Sequence, residues 1–138
     1  MPASTPMSTS QKRVKQSLES WSGTLANDQH ELFRAFVETT LPLLRGQFLA
    51  HHSPRQILAT LERSFLFALK RPADEQKISL VRSRQRGFTI ISSVPDQPFI
   101  IDTMHLFLKN VGADYSSGYN IVFNATRAED GTLTSVGK

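Results

Sequence analysis

A chain of 138 residues with 39% apolar and 20% charged side chains has room for one globular domain, or one domain with a helical extension, and is too apolar to be read as disordered. No apolar run approaches the roughly 18–20 residues of a membrane-spanning helix, so the sequence predicts a soluble protein. Cysteine is absent, which excludes a disulfide framework, a thiolate metal site and a cysteine nucleophile, and suits a cytoplasmic location.

The formal charge of +4 invites a nucleic-acid reading, but the cations are scattered. Lys12, Arg13 and Lys15 fall in the first helical stretch, Lys70 and Arg71 at a helix end, and Arg82, Arg84 and Arg86 along a strand and its turn. Solvated faces and cations complementing helix C-termini account for them without a polyanion. Nucleic acid is therefore not an expected partner.

Residues 1–10 are rich in Ser, Thr and Pro and lack the charged and apolar regions of a secretory signal, so a disordered tail is expected there. A helical region follows over residues 11–71. Val14, Leu18, Trp21 and Leu25 recur at helical spacing, and Asn27 is a candidate N-cap for a second helix. That helix carries Phe33, Phe36, Val37, Thr40, Leu41 and Leu44 on one face, with Pro42 predicting a kink or an end near Thr39. Ser53-Pro54 is a capped helix start, and Ile57, Leu58, Leu61, Phe65 and Leu69 supply the apolar face behind it.

After the polar stretch at residues 72–76 the period changes from helix to strand. Ile78 and Leu80 alternate with Ser79 and Val81, and the β-branched run from Phe88 to Val94 completes a hairpin around Gln85-Arg86-Gly87. Asp96 is a candidate cap for a helix with Ile100, Met104, Phe107, Leu108 and Val111 on one face, closed by Gly112. Tyr119, Ile121 and Phe123 alternate as a third strand, and Asp130-Gly131 signals a type I′ turn into a fourth strand with Leu133 and Val136. The expected fold class is α+β: three N-terminal helices, then ββαββ over residues 77–138, the helix between Val94 and Tyr119 crossing over so that strands on either side pair in one sheet.

Signatures of chemistry are sparse. No GxGxxG follows a strand, and the glycines at 112, 118, 131 and 137 read as turns. The adjacent His51 and His52 suit a loop better than a metal site, and Asp102 with His105 reads as a surface pair on the polar side of the crossover helix. Phe65, Phe67, Phe99, Phe107 and Phe123 are expected in the core rather than on a base-stacking platform. No catalytic, cofactor-binding or metal-ligating residue is assigned, and no cofactor is expected.

The stretch from Asp96-Gln97-Pro98-Phe99 to Val111-Gly112-Ala113-Asp114 resembles the first strand-to-helix unit of ACT domains. With Pro98-Phe99-Ile100-Ile101-Asp102-Thr103 it resembles more closely the N-terminal ACT-like region of the large bacterial NAD-specific glutamate dehydrogenases, over residues 30–135. That resemblance implies a partial ACT-like, ferredoxin-like ββαββ module with a regulatory or assembly role at the front of a larger enzyme that oxidatively deaminates glutamate. It also implies, as an alternative, a stand-alone amino-acid sensor whose ligand turn is Asp96, Gln97, Pro98 and Phe99. Ligand-binding ACT domains usually carry glycine where Phe99 stands, and the second helix and last strand of the family pattern are missing here. An open sheet edge then predicts association with another copy or with the remainder of a larger enzyme.

Overall fold

The computed structural model describes residues 7–44, 46–83, 87–96, 100–113 and 119–137. Helix α1 spans Thr9–Glu19, earlier than the expected end of the tail, because Ser8 and Gln11 form a reciprocal capping box. The Ser8 hydroxyl accepts from the Gln11 amide at 3.2 Å, and the Gln11 side-chain oxygen accepts from the Ser8 amide at 2.9 Å. Two otherwise orphaned helix-terminal donors are satisfied in this way. The Gln11 side chain also donates to the Leu41 carbonyl at 3.1 Å, tying the start of α1 to the end of the second helix.

A 3₁₀ turn at Asn27–Gln29 leads into α2, His30–Thr40. The cap expected at Asn27 falls instead on Ala26, whose amide donates to the Gln29 side chain at 3.0 Å. Pro42 acts as expected: α2 stops at Thr40 and a 3₁₀ turn at Leu41–Leu43 carries the proline at a position that needs no donor. A short α3, Gly46–Ala50, precedes α4, Pro54–Ala68, which starts at a Ser53/Gln56 capping box with Pro54 in its first turn.

These helices form the core. Val14 and Leu18 from α1, Phe33, Phe36 and Val37 from α2, and Ile57, Leu58, Leu61 and Phe65 from α4 are all buried together. Phe65 lies at its centre, 5.4 Å from the Phe33 ring and 5.6 Å from the Phe36 ring, both in tilted geometry. Such pairs add about 0.5–1.5 kcal/mol beyond the area they bury.

Strand β1, Lys77–Ser83, pairs antiparallel with β2, Gly87–Ser93, in the register Ile78↔Ser92, Leu80↔Ile90, Arg82↔Phe88. Helix α5 spans Ile100–Asn110, and β3, Ala125–Arg127, pairs antiparallel with β4, Leu133–Val136. The chain is thus α+β, with helices first. Among the described residues, however, the strands form two separate two-stranded sheets, not the one sheet expected.

Two further expectations need correction. Tyr119, Ile121 and Phe123 alternate as anticipated but have no ladder partner, and the third strand begins only at Ala125. Their inward side chains are taken up by the helices: Phe123 packs edge-on to Phe36 at 5.4 Å and Tyr119 against Phe48 at 5.0 Å, with the Tyr119 hydroxyl bonded to Ser64. Asp130-Gly131 also does not form a two-residue turn. The Gly131 amide donates to the Ala128 carbonyl at 2.9 Å, Gly131 takes φ +89°, and the register slips between Thr126 and Arg127.

Candidate association surface

The C-terminal end of α4 is where both hairpins attach. The last carbonyls of a helix lack intrahelical donors and carry partial negative charge. Here Lys77, the first residue of β1, donates to the Phe67 carbonyl at 2.9 Å with its ammonium 4.5 Å from the centroid of the Phe67 ring. Arg127 of β3 donates to the Ala68 carbonyl at 2.8 Å, and the Leu133 amide of β4 to the Leu69 carbonyl at 2.7 Å. The buried Arg71 donates to Ser93 of β2 at 3.1 Å and to the carbonyls of Pro72, Ala73 and Glu75. Burial, and then the neighbouring Arg71, press the Arg127 guanidinium below its usual range. Arg71, Lys77 and Arg127 therefore donate to backbone carbonyls at and just beyond this helix end.

Anchored in this way, β1–β2 turns one face toward the helical body and the other away from it. Lys77, Ser79, Ile91 and Ser93 are half-buried on the inner face. On the outer face Ile78 is 64%, Leu80 62%, Phe88 64% and Ile90 43% exposed, with Arg82 the charged residue beside them. A half-buried antiparallel hairpin ordinarily puts polar residues outward. Four large apolar residues in register on the solvent side are the reverse of that pattern.

Helix α5 presents a second apolar surface, half-buried at Met104 and Leu108 and uncovered at Phe107 and Val111. It ends as the sequence predicts: Gly112, at φ +74°, donates to the Lys109 carbonyl at 3.1 Å while Ala113 donates to the Leu108 carbonyl at 2.9 Å. That pair of bonds is a Schellman closure, which needs the left-handed conformation glycine adopts without strain. Yet α5 does not clamp a sheet. Phe107 and Val111, one turn apart on the same stripe, are 63% and 59% exposed, and Phe107 is not the core residue expected.

One functional-looking group was not singled out from the sequence. Glu62 of α4 is buried, and its carboxylate accepts from the Trp21 indole at 2.7 Å, the Thr24 amide at 2.8 Å and the Thr24 hydroxyl at 2.6 Å. Burial alone would raise its pKa, but these bonds, with His30 nearby, hold it below the ordinary carboxylate value. A Cβ at Gly23 would stand 2.0 Å from a Glu62 carboxylate oxygen, so only glycine admits the loop this close. The signal was available: Glu62 lies on the same helical stripe as Leu58 and Phe65, where a charge demands partners. Every bond of this carboxylate goes to the 21–24 loop, so its role is to pin α1 to α4.

The other residues weighed from the sequence form no metal-binding group among the described residues. Asp96 is exposed, while Gln97, Pro98 and Phe99, the rest of the proposed ligand turn, lie outside the described residues, as do Arg84, Arg86 and Asp114. His52 Nδ1 is 2.8 Å from the Phe48 carbonyl and its ring stacks at 4.6 Å on Phe48. Among the described residues no three His, Asp or Glu side chains group as a metal site, and no helix is long and apolar enough to cross a membrane. A cleft of about 330 Å³ between α1, α3 and α4 is lined by Arg13, Leu49, His52 and Ile57 but by no carboxylate. Compared with family models, curated proteins and solved structures, the chain matches none.

Proposed function

We propose that this chain is a non-catalytic assembly or regulatory module, of the kind that precedes the catalytic region in the large NAD-specific glutamate dehydrogenases. The observation that carries the assembly reading is the outer face of β1–β2, where Ile78, Leu80, Phe88 and Ile90 stand in solvent on a hairpin firmly rooted to the helical core. Apolar surface so arranged marks a binding site for another protein surface. Kinship with the dehydrogenases is supported by the Asp96-to-Asp114 motif and by the Gly112 closure that this motif requires.

Within this reading, β1–β2–α5–β3–β4 is a partial ACT-like unit whose helix and strands come together only when the module associates. Catalysis belongs to a downstream region of the enzymes it resembles. The purified chain, assayed with glutamate and NAD, is expected to give no NADH above a protein-free blank. Turnover that scales with chain concentration would overturn the proposal.

A further inference from the structure

The outer face of β1–β2 and the Phe107–Val111 part of the α5 stripe both stand uncovered in one chain, and each is of the kind that ordinarily covers the other. A two-stranded antiparallel hairpin is marginal in water until a helix or further strands pack on its apolar face. A helix with an apolar stripe must likewise bury it against another element. At about 1.5 Å per residue the 11-residue α5 is roughly 16 Å long, and at about 3.3 Å per residue the 7-residue strands are roughly 23 Å long. The width of two strands, roughly 10 Å, matches the diameter of one helix. One α5 therefore covers one outer face.

We infer that two copies of this chain associate by reciprocal exchange, α5 of each copy lying across the outer face of the other's β1–β2 hairpin. The inference deepens the assembly reading above and rests on it. Folding back onto the same chain is not what the structure shows, since Phe107 and Val111 on α5 and the four hairpin residues are exposed together. Exchange also satisfies both faces at once, because the two-fold operation that brings one helix to one hairpin brings the second pair into the same contact. Ile78, Leu80, Phe88, Ile90, Phe107 and Val111 together expose roughly 700 Å² per chain, close to the roughly 800 Å² per partner of a stable interface. Among the described residues the hairpin's outer face carries Arg82 alone as a charge, so little electrostatic repulsion opposes a second copy there.

The absence of cysteine makes the pairing directly readable. Phe88→Cys and Phe107→Cys are made as separate chains, mixed, and treated with a short thiol-reactive cross-linker. The exchange predicts a cross-linked product joining one chain of each kind, at least ten times more abundant than when Phe107→Cys is mixed with Thr134→Cys, an exposed position on β4. Introducing Ile90→Glu into the Phe88→Cys chain is expected to cut the product back to that control. A mixed product no more abundant than the control, or a Phe88→Cys/Phe107→Cys double variant that closes within a single chain at high dilution, would overturn the exchange. Either result leaves the non-catalytic reading standing, because that reading is decided by glutamate turnover and not by cross-linking.

Discussion

Phe65→Ala is expected to cost about 3–5 kcal/mol, the loss typical of removing a fully buried aromatic ring that its surroundings cannot collapse to fill. Phe65 has no exposed surface and its ring contacts Phe33 and Phe36. Those contacts join α2 to α4, and α4 in turn holds both hairpins through its C-terminal carbonyls. Against the roughly 5–15 kcal/mol of a typical domain, this one substitution removes a large share of the stability. Urea denaturation followed by far-ultraviolet circular dichroism measures it. A loss below about 1 kcal/mol would mean that the helical core is not organised around this ring.

Glu62→Gln is the second large effect, expected at about 2–3 kcal/mol near neutral pH. The amide keeps the size of the side chain but offers one acceptor oxygen where the carboxylate offers two, so its NH₂ faces a donor from Trp21 or Thr24. The substitution also changes how stability depends on pH. Because the native carboxyl is held below its ordinary pKa, the unfolded chain binds more protons in the acid range. The stabilisation is therefore present above the unfolded value and fades as pH falls through the native one. The gap between the natural chain and Glu62→Gln should narrow steadily below about pH 4–5. A gap that stays constant down to pH 3 would show that ionisation of Glu62 contributes nothing.

What the sequence made legible follows from the range of the forces involved. Helix stripes and caps are local, and they came through: all six residues assigned to the core face of α2 and the turn after it are buried, and Ser53-Pro54 begins α4. The Gly112 exit is equally local, being set by two hydrogen bonds within one turn of helix. Strand pairing is not local. Tyr119, Ile121 and Phe123 show the alternation of a strand, but alternation reports which side chains face the core, not whether another strand lies alongside. Here the facing surface is α2, α3 and α4, and no ladder lies alongside among the described residues.

Phe107 illustrates the same limit from the other side. Its spacing on α5 correctly identifies an apolar stripe, while the object that covers that stripe is not in the pattern. The exposed apolar face proposed for association was legible only as apolar alternation from Ile78 to Leu80 and from Phe88 to Ile90. Its outward orientation depends on Lys77 being fixed to Phe67 and Ser93 to Arg71, contacts between different elements that the pattern within one strand does not report.

Sedimentation velocity over a wide concentration range tests most directly whether the uncovered hairpin and helix form an association surface. The account predicts a rise with concentration from the 15.5 kDa of one chain to a species of twice that mass, and its loss in Leu80→Glu with the circular dichroism spectrum unchanged. A single species at the mass of one chain, persisting at the highest concentration reached, would contradict it.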